Sequence, residues 1–210
     1  PAPASAIVSG EPSATTVATV VGHLDSAKNP VIIAGAGNDT DEGWAALVRL
    51  AERTQTPVYQ ESFAGRAGFP QDHPLFAGFL SAARSVLRKQ LADFDTVLAV
   101  GAPVFRQYNY EPGLMVTPGT AVIVVTNDSD EALRSAATLS VLGDIPATIS
   151  EVADTVRAVS EARTAVPPRR TPPPAPTGDE PLRASHVMAA LAELLPADTI
   201  VVEETPSSRP

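Results

Sequence analysis

Residues 93–126 read DFDTVLAVGAPVFRQYNYEPGLMVTPGTAVIVVT, and this stretch decides the fold. Its two apolar runs, at 96–100 and 121–125, are rich in valine, isoleucine or leucine, and turn residues bound each of them. Runs of this length are too short for an ordinary helix and are typical of strands that are buried on both faces of a parallel sheet. The stretch therefore predicts two central strands of an α/β protein.

A loop rich in glycine and proline joins these two predicted strands. It carries FRQYNYE at residues 105–111, an aromatic and charged cluster in a chain with only 5% aromatic residues. Because the loop leaves the carboxyl end of a strand, it lies where open α/β sheets bind ligands. The cluster is a candidate functional edge, and the alternative is an ordered loop whose tyrosines cover the core.

Strands and helices alternate on both sides of this stretch. Predicted strands cover residues 30–34, 56–60, 96–100, 121–125 and 138–142, and predicted helices cover 14–27, 42–54, 81–91, 131–135 and a segment ending near 162. This alternation indicates an α/β fold with a Rossmann-like (DHS-like) parallel sheet of about six strands, flanked by helices and joined by right-handed crossovers. Trp44 is expected in the core, and Arg84, Arg88 and Lys89 on a solvated helix face.

Segments rich in proline divide the chain. Residues 1–13 lack periodicity and predict a linker, after which residues 14–165 form one domain. Residues 166–178, which begin VPPRRTPPPAPT, predict a second linker, because so many prolines favour an extended conformation. Residues 179–210 predict a helix and then a strand at 199–202, interpreted as the truncated start of another α/β domain. We therefore expect a piece of a longer protein.

The composition excludes several classes of function. The formal net charge of -9 disfavours a nucleic-acid partner, and the absence of cysteine excludes disulfides and thiolate chemistry. No apolar run approaches the roughly 18 residues of a membrane span, and no secretory signal is recognisable, so a cytoplasmic protein is expected. His23 and His73 are expected to be structural, because no acidic cluster follows either of them at metal spacing.

A glycine-rich turn follows the first predicted strand of this domain. GAGNDTD at residues 35–41 could hold a phosphate through free backbone N–H groups at the start of a helix. However, Thr40 stands where the dinucleotide motif needs its third glycine, and Asp39 and Asp41 would repel a phosphate. The turn is therefore a weak match to a nucleotide site.

Four segments together resemble the benzoylformate decarboxylase family. They are NPVIIAGAG at 29–37, FPQDHPLFAG at 69–78, GAPVFRQYNYEPG at 101–113 and, after the proline-rich linker, PLRASHVMAALAELLPADTIVVEE at 181–204. The resemblance extends from residue 29 to residue 208. It implies that residues 14–165 are the central domain of a thiamine-diphosphate-dependent enzyme and that residues 179–210 begin its diphosphate-binding domain.

The resemblance also implies an activity for the parent protein. That activity is the non-oxidative decarboxylation of a 2-keto acid by a homotetramer that uses thiamine diphosphate and Mg²⁺. The isolated chain is expected to bind neither and to be inactive, because the family's metal-binding Gly-Asp-Gly motif does not occur in it.

Two alternatives stay open. One is a structural and oligomerisation module that uses the loop at 61–78, with Phe69 and Phe76, as its interface. The other is a central domain that binds FAD or an adenine nucleotide.

Three candidate site residues follow from the resemblance alone. Tyr108 stands at the position of the family's active-site histidine in the loop after GAPVFR. A phenol can donate a hydrogen bond there, but it does not relay protons as a histidine does near neutral pH. Ser207 and Ser208 are the candidates for contact with the cofactor diphosphate, because Pro206 offers neither a hydroxyl nor an N–H group. No metal ligand is predicted in this chain.

Overall fold

The computed structural model describes residues 5–8, 10–161, 166, 176, 178, 181–196 and 198–202. The chain forms two compact units, Pro1–Pro168 and Arg169–Pro210. Most of the predicted linker at 166–178 and all of residues 203–210, with Ser207 and Ser208, lie outside the described residues. The first unit contains the sheet, and the described part of the second contains one helix, Ala184–Leu194.

A parallel sheet of seven strands forms the centre of the first unit. The strands are β1 (Ser5–Val8), β2 (Pro30–Ala34), β3 (Val58–Gln60), β4 (Phe76–Phe79), β5 (Thr96–Val100), β6 (Ala121–Thr126) and β7 (Leu139–Leu142). Their spatial order is β1-β7-β6-β5-β2-β3-β4. The predicted α/β fold and parallel sheet are confirmed, with one strand more than expected.

Five helices cover the two faces of this sheet. They are α1 (Ala14–Ser26), α2 (Asp41–Thr54), α3 (Arg84–Gln90), α4 (Ser129–Arg134) and α5 (Ile145–Thr155). Alternate residues of β2, β5 and β6 point to opposite faces, so the core has two halves. Apolar residues of α1, α2 and α5 pack on one half, and Leu87 and Leu91 from the region of α3 pack on the other.

The structure corrects three predicted segments. Residues 1–13 are predicted as a linker, yet β1 lies there and pairs with β7 at the sheet edge. The sequence of β1, SAIV, is too short to carry a periodic signal, and its partner is far away in the chain.

Helix α5 ends at Thr155, earlier than the predicted end near residue 162. Beyond it, the Val159 N–H donates to the Arg53 carbonyl at 2.8 Å, a contact outside the helix. Residues 199–202 are irregular, since a strand needs a hydrogen-bonded neighbour and the described part of this unit offers none.

The loop at 61–78 packs in part against the rest of the first unit. Trp44 is half-buried rather than fully in the core, and its indole N–H donates to the Ala67 carbonyl at 3.0 Å. Phe69 is only 1% exposed and belongs to the same core half as α2. The expectation that Phe69 forms an oligomer interface is therefore wrong, because its ring is already covered by this chain. Phe76 is partly buried in β4, a strand that the sequence did not indicate.

Replacing Phe69 tests whether this loop supports folding. We expect Phe69→Ala to lower the free energy of unfolding by about 3–5 kcal/mol, because it removes a buried ring and leaves a cavity. Phe63→Ala is the matched control, since Phe63 lies in the same loop and is 43% exposed; its cost should stay below about 1 kcal/mol. Urea unfolding followed by circular dichroism measures both. Equal losses in the two variants would contradict this account of the loop.

Candidate functional site

The candidate site lies where the chain reverses its path across the sheet. From β2 the strands continue to β3 and β4 on one side, whereas β5, β6 and β7 lie on the other side of β2. The loops that follow β2 and β5 therefore leave the sheet side by side at its carboxyl edge. In open α/β sheets this switch point is the usual place for a ligand.

Glycines pack the main chain tightly at this switch point. A Cβ atom on Gly35 would lie 2.3 Å from the Gly101 carbonyl oxygen, and one on Gly68 would lie 2.2 Å from the Gly35 carbonyl oxygen. Gly101 has a φ of +57°, and its own Cβ would lie 2.5 Å from the Asn38 nitrogen. Three loops therefore touch through their backbones, and only glycine leaves room for these contacts.

A buried asparagine also connects the turn after β2 to two neighbouring segments. The Asn38 side chain is 0% exposed, and its amide nitrogen donates to the Gly68 carbonyl at 2.8 Å and to the Gly43 carbonyl at 3.1 Å. Gly43 lies in the first turn of α2, and Gly68 lies in the loop at 61–78. Asn38 thus ties the turn after β2 both to the helix that follows it and to the neighbouring loop.

The backbone N–H groups of this turn are already used within the chain. Gly37 donates to the Gly101 carbonyl at 2.9 Å, Asn38 to the Gly35 carbonyl at 3.1 Å, and Thr40 to the Asn38 carbonyl at 2.9 Å. A phosphate at a helix start needs such N–H groups to be free. Thr40 itself caps α2 by accepting the Gly43 N–H at 3.0 Å. The turn is therefore built for packing, in agreement with the poor match of GAGNDTD to a nucleotide motif.

The close contact at Gly101 can be tested by replacing it with alanine, with a second glycine of positive φ as the control. Gly119 has a φ of +94°, and a Cβ added there would meet no atom within 4 Å, so Gly119→Ala reports backbone strain alone, about 1–3 kcal/mol. Gly101→Ala should cost about 1–3 kcal/mol more, because its methyl group overlaps the Asn38 backbone. Urea unfolding of both variants measures the difference. A smaller loss at Gly101 than at Gly119 would contradict the close packing.

Beside these glycines lies a small cavity of about 180 Å³. Four charged residues contribute to its lining, namely Glu61, Arg106, Asp128 and Glu131. The cavity is smaller than the roughly 300–1,000 Å³ of most sites for drug-sized ligands. It can hold waters or a small polar group, and its wall carries one cationic and three acidic side chains.

Two carboxyl groups of this cavity have raised pKa values. Glu61 is 5% exposed, and burial raises its pKa, while the Phe63 N–H at 3.2 Å and nearby Arg106 act in the opposite direction. Burial also raises the pKa of Glu131, and the charge of Asp128 adds to this effect. An Arg106 nitrogen lies 3.6 Å from a Glu131 oxygen. The guanidinium thus offsets part of the repulsion between the two carboxylates.

The raised pKa of Glu61 predicts a pH dependence of stability. The native state binds the Glu61 proton more tightly than the unfolded state, so the Glu61 contribution is full below the ordinary pKa of 4.5 and is lost as the pH rises through the raised value. Glu61→Gln cannot ionise. As the pH rises from 4.5 through the raised pKa, its free energy of unfolding should therefore increase relative to that of the original protein, and the difference should then level off. Urea unfolding at successive pH values measures this difference, and a difference that does not vary with pH would refute the burial argument.

Of the three candidate residues of the sequence analysis, the structure describes Tyr108, and Tyr108 does not line this cavity. Tyr108 is 81% exposed in the loop after β5, and its backbone N–H donates to the Ala82 carbonyl at 3.3 Å. Sequence reasoning missed Glu61 and Glu131, because isolated glutamates in loops and short helices carry no motif. It placed Arg84 and Arg88 together on a solvated face, whereas both donate to carbonyls of the loop after β5, Arg84 to Gly113 and Arg88 to Leu114, each at 2.8 Å.

The fold and this edge define an α/β central domain whose switch point is closed by its own main chain. The sequence profile described as "Thiamine pyrophosphate enzyme, central domain" matches residues 17–152. The chain therefore belongs to that family, thiamine pyrophosphate being another name for thiamine diphosphate. This match confirms the resemblance from which the site residues were inferred.

Individual relatives support the same assignment. Benzoylformate decarboxylase of Pseudomonas aeruginosa is 32% identical over 197 residues, which are 94% of this chain and 37% of that protein. A probable acetolactate synthase of Mycobacterium bovis is 31% identical over 201 residues, which are 91% of this chain and 35% of that protein. The chain thus spans little more than a third of the length of these relatives.

Solved structures of similar proteins have the same fold. The crystal structure of benzoylformate decarboxylase from Polynucleobacter necessarius matches with a TM-score of 0.86 at 29% identity, over 95% of this chain and 37% of that one. A thiamine diphosphate-dependent 4-hydroxybenzoylformate decarboxylase of Rhodococcus jostii RHA1 matches with a TM-score of 0.81 at 31% identity, over 91% of this chain and 36% of that one.

Proposed function

We propose that this chain is the central part of a thiamine-diphosphate-dependent decarboxylase that acts on 2-keto acids of the benzoylformate type. The observation that carries the proposal is the similarity to benzoylformate decarboxylase over more than nine-tenths of the chain, in sequence and in fold. The parent would be a cytoplasmic homodimer or homotetramer with Mg²⁺ beside the cofactor. Among the described residues, no helix is long and apolar enough to cross a membrane.

The described residues do not fit the cofactor by themselves. They contain no group of three or more His, Asp or Glu side chains that could hold a metal ion. The N–H groups of Gly37, Asn38 and Thr40 in the turn after β2 are also committed to carbonyls of this chain. We therefore propose that other parts of the parent hold thiamine diphosphate and Mg²⁺, with Ser207 and Ser208 as contacts to the diphosphate. The isolated chain would be a scaffold without activity.

Tyr108 is the residue of the described part that we propose for the reaction. Its phenol is largely exposed, on the loop that follows β5 at the carboxyl edge of the sheet. An exposed phenol can exchange its bound water for a substrate, and it can donate a hydrogen bond to a carboxylate or a keto oxygen. We propose that Tyr108 orients the 2-keto acid, in the place where relatives with a histidine can relay a proton.

The parent protein tests the proposed reaction directly. Expressed with the sequence that flanks this chain in its gene and supplied with thiamine diphosphate and Mg²⁺, it should convert benzoylformate to benzaldehyde and carbon dioxide. An assay that couples aldehyde to NADH oxidation, run with aryl and alkyl 2-keto acids, measures this. The isolated chain of 210 residues should give no aldehyde. Absence of aldehyde from the parent with every 2-keto acid would overturn the proposal.

Tyr108→Phe in the parent tests the role of the phenol. The change removes one hydroxyl and keeps the ring, so kcat/KM should fall about tenfold, the cost of one hydrogen bond made in the transition state. Tyr110→Phe is the matched control, because Tyr110 is 87% exposed on the same loop. Equal kinetics for the Tyr108 variant and the unchanged enzyme would exclude Tyr108 from the reaction.

A further inference from the structure

The loop that carries Tyr108 is long and has no regular structure of its own. Residues 101–120 connect β5 to β6 without a helix or strand. Loops of this length inside a compact domain are uncommon and are often functional. Because they gain no stability from helical or sheet hydrogen bonds, other parts of the protein must fix their conformation. For the segment from Tyr108 to Leu114, contacts come from α3 and from the residues just before it.

Two arginines of α3 bind three successive carbonyl groups of this loop. The Arg88 Nε donates to the Leu114 carbonyl at 2.8 Å, and its Nη2 donates to the Pro112 carbonyl at 3.4 Å. The Arg84 Nη1 donates to the carbonyl between them, that of Gly113, at 2.8 Å. Three carbonyls bound in this way fix the backbone of the segment, because each bond constrains a different peptide unit.

A glycine and an aromatic ring complete the contact with the guanidinium groups. Gly113 has a φ of +103°, and a Cβ there would lie 2.9 Å from the Arg88 Nη2. Any other residue would push this guanidinium away from the loop. The Arg84 guanidinium also lies over the Tyr110 ring, 5.6 Å from its centre. A guanidinium is well suited to both contacts, since it donates from several nitrogens in one plane and stacks on aromatic faces.

The start of α3 holds the other part of the loop. The Glu111 carboxylate accepts the Ser85 N–H at 2.8 Å, in the first turn of α3. The Ala82 carbonyl accepts the Tyr108 N–H at 3.3 Å, so the residue proposed for the reaction is itself attached to this region. Contacts from α3 and its approach therefore cover the segment from Tyr108 to Leu114.

Helix α3 is in turn fixed to the sheet. Leu87 is 1% exposed and Leu91, which follows the helix, is 0% exposed, and both belong to the core half that contains Val97 and Ala99 of β5. The helix therefore cannot shift without opening the core. The sheet thus fixes the position of α3, and the two arginines of α3 fix the position of the loop.

We propose that Arg84 and Arg88 are positioning residues that set the place of Tyr108 for the 2-keto acid. Neither arginine touches the reacting atoms; each acts through the backbone of residues 108–114. This inference rests on the proposed function, because it assigns the positioned loop to that reaction. It adds that the two arginines raise the rate by holding the loop, rather than by binding the substrate.

Hydrogen exchange on the isolated chain tests whether the arginines hold the loop. In Arg84→Ala and Arg88→Ala, the amide of Tyr108 should exchange about tenfold faster or more, because local opening becomes easier. The amides of β5 should keep their rates, which also shows that each variant is folded. Lys89→Ala is the control, since it removes the same charge from an exposed position of the same helix. Unchanged exchange at Tyr108 in both arginine variants would overturn the inference.

Kinetics of the parent enzyme test whether this positioning matters for the reaction. We expect Arg84→Ala and Arg88→Ala to lower kcat by up to about tenfold with KM changed less than about threefold, because a displaced loop loses the Tyr108 hydrogen bond while the other substrate contacts remain. Arg88→Lys should recover only part of the loss, since an ammonium group lacks the planar fork that reaches two carbonyls. Lys89→Ala should behave as the unchanged enzyme does.

The two possible failures can be told apart. If the unchanged parent decarboxylates no 2-keto acid, the proposed function is wrong, and the positioning role in that reaction is wrong with it. If the unchanged parent is active and both arginine variants keep its kcat, the proposed function stands and the positioning role alone is overturned.

Discussion

The contact between main chains at the switch point is the constraint on which the rest of this structure depends. Gly35 at the end of β2 touches Gly101 at the end of β5, and Gly68 closes over Gly35. These contacts fix how the loops leave the sheet, because backbone atoms cannot rotate away as side chains can. Asn38 is buried where the loops meet and bonds to two of the segments. The sheet edge is therefore rigid where many α/β proteins keep a crevice.

Closing the crevice changes what this domain can contribute to an enzyme. The N–H groups of Gly37, Asn38 and Thr40 in the turn after β2 donate to carbonyls of this chain, and the remaining cavity is small and partly acidic. The loop after β5 extends beyond this closed edge. Arg84 and Arg88 of α3 support this loop by donating hydrogen bonds to its carbonyl groups. The chain belongs to the family described as the central domain of thiamine pyrophosphate enzymes, and we propose that it contributes this loop to the parent enzyme.

The sequence predicted those strands whose own residues form a clear pattern. The bounds of β2 and β5 agree with the apolar runs, because strands buried on both faces read as continuous hydrophobic segments. Strand β1 was missed, since four residues at a sheet edge carry little pattern. Arg88 was correctly placed away from the core, but its partner Leu114 lies 26 positions further along the chain. No local pattern can indicate such a contact, and the role of Tyr108 came from resemblance alone.

The central claim is that the main chain itself fills the ligand position at the switch point. Calorimetric titration of the isolated chain with FAD, and separately with ADP, tests it most directly. We expect no binding heat at micromolar protein with either nucleotide up to about 1 mM. A dissociation constant above about 1 mM corresponds to a binding free energy weaker than about -4 kcal/mol. Saturable binding of one nucleotide per chain at micromolar affinity would contradict the account, because it would require the glycine contacts to open.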